Sequence, residues 1–153
     1  MKSWFSRRRL IWLALGSAAA LVTSLARAAA PAGRYTIAAG TVLDNETGLM
    51  WQQVQAAGYY DFSNAATYCQ GATTGGFSDW RVPSLSEIQT LVDEAIPSPG
   101  PTIDTGVFPT SADNFQTSSR LAGSPDRAFS VDFGDGSTFY LDLTTTAHVR
   151  CVR

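Results

Sequence analysis

Basic and catalytic side chains are scarce in this sequence of 153 residues. From residue 29 onward it has no Lys, and its six Arg are outnumbered by 13 Asp and Glu, which gives that part a formal charge of −7. Nucleic acid and anionic membranes bind clustered cations, so neither is expected as a partner. The single His is His148, and no Gly-x-Ser-x-Gly motif accompanies it, so a catalytic triad is not expected. We interpret His148 as a half-exposed strand residue.

Motifs for a metal or a cofactor are also missing. Asp132 and Asp135 lie beside Gly134 and Gly136 and offer oxygen ligands for calcium. The stretch does not fit the calcium loop Asp-x-Asp/Asn-x-Asp/Asn-Gly, and an acidic hairpin turn is the favoured interpretation. No metal, no cofactor and no catalytic residue are therefore predicted.

The first 28 residues have the layout of a signal peptide. Met1–Arg9 carries one Lys and three Arg, Leu10–Leu25 is uncharged and largely apolar, and Ala26-x-Ala28 follows. The apolar run is shorter than the roughly 20 residues of a membrane-spanning helix, so we expect cleavage after Ala28 and no lasting membrane anchor. Ser6–Ile11 also fits a twin-arginine signal, which leaves the twin-arginine and Sec routes both open. Either route leads to a periplasmic or secreted protein.

Residues 29–153 are enough for one domain. We divide them into a lead-in over residues 29–40 and a domain over residues 41–153. The two cysteines of the sequence, Cys69 and Cys151, both lie in this domain. Because an exported chain leaves the reducing cytosol, one Cys69–Cys151 disulfide is expected.

Hydrophobic patterning predicts an α+β fold with two hairpins. One hairpin is predicted over Thr41–Val54, with Gly48 in its turn. The other covers residues 128–143, where apolar and polar residues alternate on both sides of the Gly134–Gly136 turn. The closing HVRCVR, His148–Arg153, is predicted as a last strand with two apolar residues on one face.

Between the two hairpins, the sequence predicts a short helix and a long loop. The helix has Ser63 as its N-cap, ends at Gly71 and carries Cys69. Residues 96–123 are rich in Pro, Gly, Ser and Thr, with one short strand candidate at Phe115–Ser118. A long ordered loop on a compact domain is more often functional than not.

The stretch SDWRVPSLSEIQTL, residues 78–91, predicts the start of a second helix. Pro83 holds its neighbour extended, and Ser84 with Glu87 forms a capping box. The apolar stripe of this helix ends near Glu94, before IPSPGP breaks it.

Trp80 and Arg81 precede this helix. A Trp next to an Arg is compatible with a ligand platform. We favour a structural corner formed by Trp80, Arg81, Ser84 and Glu87, in which the Arg81 guanidinium ties loop carbonyls or a carboxylate.

Seven motifs carry a family resemblance: TGLMWQ, AATYCQ, GFSDWRVPSLSEIQTLVD, VFPT, FQTSS, VDFGDGS and VRCVR. Over Thr41–Arg153 the chain resembles the bacterial Lcl C-terminal domain family, named for a collagen-like adhesin. The resemblance implies a C-type-lectin-like fold, similar to formylglycine-generating enzymes, with two short helices packed on a small antiparallel sheet. It also implies that a helix Cys pairs with a Cys of the last strand. Where many members have Tyr-Trp-Ser-Ser, this chain has Phe115–Ser118, so a surface Trp for sugar stacking is missing.

The resemblance implies a non-catalytic binding module that recognises a glycan or a surface protein. C-type-lectin-like domains bind through their loop region, where this chain offers Asn114, Gln116, Arg120, Arg127 and Tyr140. The family's adhesin is associated with sulfated polysaccharides, but the charge of −7 favours a neutral glycan or a protein. A structural or assembly domain of the cell envelope is the alternative. An enzyme related to the formylglycine-generating enzymes ranks third, because those enzymes use a reactive cysteine pair and the two cysteines here have the positions of the structural bridge.

Overall fold

The computed structural model describes residues 30–153. The predicted signal peptide and its cleavage site lie outside this part of the chain. The described residues form two α-helices and two separate antiparallel sheets of three strands each. None of the helices described there is both long and apolar enough to cross a membrane. The fold is thus α+β as predicted, but with two small sheets in place of one.

The first sheet contains β1 (Tyr35–Ala38), β2 (Thr41–Asp44) and β3 (Met50–Gln52) in that order. Ala39 and Gly40 both have positive φ, as a two-residue hairpin turn requires. The second turn closes where the Gly48 N–H donates to the Asp44 carbonyl at 2.8 Å, with Gly48 at φ +73°. The predicted hairpin over residues 41–54 is therefore confirmed, and β1 is added to it.

The second sheet contains β4 (Asn114–Arg120), β5 (Arg127–Asp132) and β6 (Thr138–Asp142). The hairpin predicted over residues 128–143 is β5 and β6. The short strand expected inside the long loop is longer than predicted, since β4 runs through seven residues with an irregular register after Gln116.

The first helix, α1, spans Phe62–Gly71, and its N-cap is Asp61. The Asp61 carboxylate accepts the Asn64 N–H at 2.8 Å, so the prediction of Ser63 as N-cap is wrong by two residues. Asp61 has the extended backbone that an N-cap needs, whereas Ser63 is already inside the first turn. A short 3-10 turn follows at Thr74–Gly76.

The second helix, α2, spans Leu85–Gln89 and begins with the predicted capping box between Ser84 and Glu87. It ends well before Glu94, which the apolar stripe had indicated as its end. The next N–H groups bond three residues back instead of four, and the Asp93 N–H donates to the Thr102 carbonyl at 2.8 Å. Pairing with the following loop therefore replaces further helix. Both helices pack against β4.

The core consists of two clusters of buried side chains. The first joins both sheets and α2: Val42, Trp51, Ile88, Leu91, Ile103, Phe108, Phe115, Val131, Phe133 and Val152. The second lies around α1: Ala56, Ala65, Cys69, Trp80, Val82, Val149 and Cys151. The C-terminal residues contribute to both clusters.

The C-terminal segment, residues 147–153, links the two sheets. It was predicted as one strand, but it makes isolated bridges to successive partners. Ala147 pairs with Tyr60, His148 pairs in parallel with Phe115 of β4, and Val152 pairs with both Trp51 of β3 and Arg81. A single ladder is impossible because the segment passes from one sheet to the other. Both of its faces are consequently covered.

Cys69 of α1 and Cys151 of the C-terminal segment form the predicted disulfide, with their Cα atoms 5.6 Å apart. Both cysteines are completely buried. The bridge closes a long stretch of chain, 82 residues in sequence separation, and it ties α1 to the segment that links the sheets.

Replacing both Cys69 and Cys151 with Ala is expected to lower the free energy of unfolding by about 2–5 kcal/mol, because the unfolded chain regains the freedom of a long loop. Urea denaturation of the oxidised protein and the variant measures the difference. Wild-type protein reduced before unfolding should match the variant. Two titratable thiols in natively purified protein would contradict the disulfide.

Candidate functional site

The structure divides the predicted ligand-binding residues into two groups at opposite ends of the second sheet. Asn114 and Arg120 are the first and last residues of β4, about 20 Å apart at the rise of a strand. Arg127 and Tyr140 lie with Arg120, since Arg120 pairs with Ala128 in the sheet. The five residues therefore do not form one site.

Gln116 is not available to a ligand. Its side chain is 3% exposed, and its amide nitrogen donates to the carbonyls of Tyr60 and Thr145, both at 2.9 Å. The reason is the position of β4 between β5 and the C-terminal segment. Gln116 instead holds the entry to α1 against the sheet.

Arg127, Tyr140 and Asp142 form an exposed surface that we call the Tyr140 face. Arg127 pairs with Asp142 at 3.0 Å, and its guanidinium lies 5.1 Å from the centre of the Tyr140 ring. The Tyr140 side chain is 50% exposed. Arg120, nearby, donates to the Pro125 carbonyl at 2.8 Å and lies over the Phe62 ring. Both arginines thus have partners within the protein.

Arg150 is the least expected feature of the site, because its side chain is 0% exposed. One terminal nitrogen donates to the carbonyls of Gln52, at 2.7 Å, and Gln53. The other donates to the carbonyl of Pro109, at 3.2 Å, and to the hydroxyl of Thr110. Burial lowers the pKa of Arg150 to about 9.

Two loops meet above Arg150. One follows β3, over residues 53–59, and the other precedes β4, over residues 109–113. The Gln55 side chain joins them, since its amide nitrogen donates to Ser111 Oγ and its oxygen accepts the Ser111 N–H, each at 2.9 Å. The loops are therefore fixed from below by Arg150 and across the top by Gln55.

Tyr59 projects from this pair of loops and is 58% exposed as a residue. One face of its ring packs on His148, with ring centres 4.2 Å apart. Its hydroxyl donates to Asp113 Oδ2 at 2.8 Å. We call Tyr59 and Asp113, with Gln55 and Ser111 beside them, the Tyr59 platform.

His148 lies beneath the platform and is 6% exposed, so the prediction of a half-exposed residue is wrong. The rings of Tyr59 and Phe115 both pack against it, with ring centres 4.2 and 5.5 Å away. Its Nδ1 lies 3.2 Å from the Gly58 carbonyl, and its Nε2 lies 3.8 Å from Asp113 Oδ2. Both ring nitrogens face protein oxygens, and the imidazole serves as a support for Tyr59.

The charge state of the platform follows from its hydrogen bonds. The Asn114 N–H donates to Asp113 Oδ1 at 2.7 Å and, with the Tyr59 hydroxyl, lowers the pKa of Asp113 below its ordinary value. The same contact with Asp113 raises the pKa of Tyr59. At neutral pH the platform therefore presents a carboxylate beside a neutral phenol. Asn114 Oδ1, next in the chain, is buried and has no hydrogen-bond partner among the described residues.

The corner at Trp80 and Arg81 has its own set of contacts. Arg81 holds the Glu87 carboxylate through two hydrogen bonds of 2.8 and 2.6 Å, and Glu87 also accepts the Ser84 N–H at 2.7 Å. Trp80 is buried, and its indole donates to the Thr74 carbonyl at 3.1 Å. These contacts fix the start of α2 against the C-terminal segment, with which Arg81 pairs.

The acidic turn after β5 uses its carboxylates internally. Asp132 accepts the Gly134 N–H at 2.7 Å, and Asp135 accepts the Ser137 N–H at 2.9 Å. Within residues 30–153, no three His, Cys, Asp or Glu residues are grouped as a metal site would require. The two carboxylates shape the hairpin turn.

A cleft of about 240 Å³ lies near the start of the described chain. Its lining includes Arg34, Tyr35, Asp93, Glu94 and Asp104. Arg34 is already held by Asp44 at 3.0 Å and the Thr90 carbonyl at 2.6 Å. Burial raises the pKa of Tyr35 to about 12, so its phenol stays neutral.

Sequence reasoning missed Tyr59, Asp113 and the role of Arg150. Side chains alternate along a strand, so Arg150 points to the face away from Val149 and Cys151. In a sheet with only one buried face, Arg150 would therefore be exposed to solvent. The segment is covered on both faces, so the same alternation buries Arg150 instead. The sequence did contain one signal for this burial: Arg150 stands between two apolar residues of the predicted last strand.

Comparison with known families gives one match that spans most of the chain. The family model described as the Lcl C-terminal domain matches residues 40–153, which confirms the resemblance found in the motifs. A search among curated proteins finds no match.

The Glu87 carboxylate predicts a pH dependence of stability. Hydrogen bonds from Arg81 hold the pKa of Glu87 at about 2, below its usual value of 4.5. Because the folded state binds this proton more weakly than the unfolded state, the stabilisation is complete above pH 4.5 and is lost as the pH falls toward 2. The gap in melting temperature between wild type and Glu87→Gln should therefore close between pH 4.5 and 2. The exposed Glu94→Gln serves as the control, and a gap that stays constant with pH would contradict this assignment.

Replacing Arg150 with Met is expected to destabilise the protein and loosen both loops. Three backbone carbonyls lose their donor, and each unsatisfied buried acceptor costs about 1–3 kcal/mol. Amide hydrogen exchange should accelerate over residues 53–59 and 109–113. Arg120→Met, at an exposed arginine with one carbonyl partner, should cost about 1 kcal/mol and leave exchange in these two loops unchanged. Unchanged exchange in both loops of Arg150→Met would show that Arg150 does not hold them.

Proposed function

The chain belongs to the Lcl C-terminal domain family, and we propose that it is an exported, non-catalytic binding module that recognises a glycan or a surface protein. We assign recognition to the Tyr59 platform. The observation that carries the proposal is an exposed Tyr residue whose ring is fixed by His148 against one face and by Asp113 at its hydroxyl.

The rigidity of the platform supports this assignment. An exposed aromatic side chain that must become ordered on binding costs conformational entropy, and a ring that is already fixed avoids most of that cost. Tyr also provides a large apolar face with a polar end, a combination that is enriched in binding sites. The two loops beneath it are fixed by Arg150 and Gln55.

The state of the reactive side chains supports a non-catalytic role. The two cysteines that a thiol-dependent enzyme would use are joined to each other and buried. His148 has both ring nitrogens directed at protein oxygens and Tyr59 packed over its ring. Neither group is placed to exchange a proton with a substrate.

We further propose that the arrangement is C-type-lectin-like. In support, the disulfide joins α1 to the C-terminal segment, and Val152 near the chain end pairs with β3 of the first sheet. The loops that carry the platform follow β3 and precede β4. Export through the signal peptide of residues 1–28 is part of the proposal, and a disulfide suits the oxidising compartment to which it leads.

A structural or assembly domain of the cell envelope is the second candidate. The observation that favours it is the Tyr140 face on β6, a strand that within residues 30–153 pairs only with β5 and so has one edge open there. An exposed aromatic residue on an open edge strand is suited to docking another protein.

A comparison of Tyr59→Ala with Tyr140→Ala tests the two candidates, because the two side chains are similarly exposed. The exported protein and both variants are applied to a glycan array and used to capture proteins from envelope fractions. We expect Tyr59→Ala to lower affinity at least tenfold and Tyr140→Ala to leave it unchanged. The opposite result would assign function to the Tyr140 face, and an absence of any ligand would overturn the binding-module proposal.

A further inference from the structure

We infer that the Tyr59 platform takes a neutral pyranose, with the sugar ring stacked on Tyr59 and sugar hydroxyl groups donating to Asp113. The inference rests on the proposed function and specifies the chemical class of its ligand. It excludes sulfated and carboxylated sugars as ligands of this surface.

One face of the Tyr59 ring remains open to a ligand. His148 covers one face of Tyr59 at a centre-to-centre distance of 4.2 Å, so the exposed area of Tyr59 belongs to the other face and the ring edge. The π face of an aromatic ring carries partial negative charge. The C–H groups on one side of a pyranose carry partial positive charge, and they form a flat apolar patch of matching size.

The Asp113 carboxylate can accept more hydrogen bonds than the protein donates to it. Its Oδ1 accepts the Asn114 N–H and its Oδ2 accepts the Tyr59 hydroxyl. A carboxylate has about four acceptor positions and no donor, and the Asp113 side chain is partly exposed. A ligand that satisfies the remaining positions must bring donors, which sugar hydroxyl groups provide and sulfate or carboxylate groups do not.

The charge next to the Tyr59 ring is negative. Asp113 lies at the hydroxyl end of Tyr59, so an anion stacked on the ring would meet a carboxylate within a few ångströms. Arg150 beneath the loops is enclosed and donates to protein oxygens. It therefore does not present its charge to a ligand.

The loop that carries Asp113 also offers a hydrogen-bond donor, the Ser111 hydroxyl. Ser111 Oγ accepts a hydrogen bond from Gln55, which leaves the hydroxyl hydrogen of Ser111 to donate to a ligand. The platform thus combines an aromatic face, a carboxylate acceptor and a hydroxyl donor. Apolar contact with a few convergent polar groups is the usual composition of a small-ligand site.

The test uses the exported protein and single sugars as probes, with binding followed by NMR of the backbone amides. The probes are the methyl glycosides of glucose, galactose and mannose, with methyl glucuronoside and the 6-sulfate of methyl glucoside as anionic counterparts. We expect at least one neutral glycoside to shift the amides of residues 54–59 and 111–114 saturably, with a Kd on the order of millimolar. The charged sugars should bind at least tenfold more weakly.

Three variants separate the contributions. Tyr59→Ala should lower affinity for the neutral glycoside at least tenfold. Tyr59→Phe keeps the ring but loses the bond to Asp113, so it should keep affinity within about threefold. Ile37→Ala, at an exposed apolar residue of β1, should have no effect. A melting temperature for each variant shows whether it is folded.

The outcomes distinguish this inference from the proposed function. Charged sugars that bind as tightly as neutral ones, or a Tyr59→Ala variant that binds normally, would overturn the neutral-pyranose assignment. If no sugar binds but Tyr59→Ala abolishes capture of an envelope protein, the pyranose inference is wrong and the binding module stands. If neither sugars nor proteins bind, both are wrong.

Discussion

The Arg150 guanidinium donates to oxygens of two loops from a position that solvent does not reach. Within residues 30–153, no carboxylate forms an ion pair with it. Removing such a charge from water costs several kcal/mol, and hydrogen bonds to backbone carbonyls offset that cost only if both loops stay in place. The loops around the Tyr59 platform, which Gln55 also joins, therefore depend on Arg150. Any change that moves either loop leaves a buried charge unsatisfied.

The same C-terminal segment connects the other parts of the molecule. Within a few residues it supplies His148 beneath Tyr59, Arg150 between the loops, Cys151 to the disulfide with α1, and Val152 to the first sheet. Core packing and site geometry are thus properties of one piece of chain. A substitution there that disturbs packing is expected to alter recognition as well, because the supports of the platform are core residues.

The parts of the fold that sequence patterns predicted correctly depend on local interactions. The capping box at Ser84 and Glu87, the turn at Gly48 and the β5–β6 hairpin are each determined by residues close in the chain. Apart from the N-cap of α1, which is wrong by two residues, the errors are non-local. The early end of α2 follows from a bond between Asp93 and Thr102, and the burial of His148 follows from Tyr59, 89 positions earlier in the sequence. Tyr59 itself has no local signal, since its support comes from residues in two other segments.

The net charge and the local charge bear differently on the choice of ligand. The formal charge of −7 over residues 29–153 disfavours strongly polyanionic partners in general, but at physiological salt a surface charge is screened beyond about 8 Å. A single sugar is smaller than that distance, so its selection is governed by the nearest groups. At the Tyr140 face the Arg127 guanidinium near the ring is paired with the Asp142 carboxylate, whereas at the Tyr59 platform the Asp113 carboxylate lies at the ring's hydroxyl. The two exposed tyrosines of this acidic domain therefore differ in local charge: a ligand on Tyr140 would meet an ion pair, and a ligand on Tyr59 would meet a carboxylate.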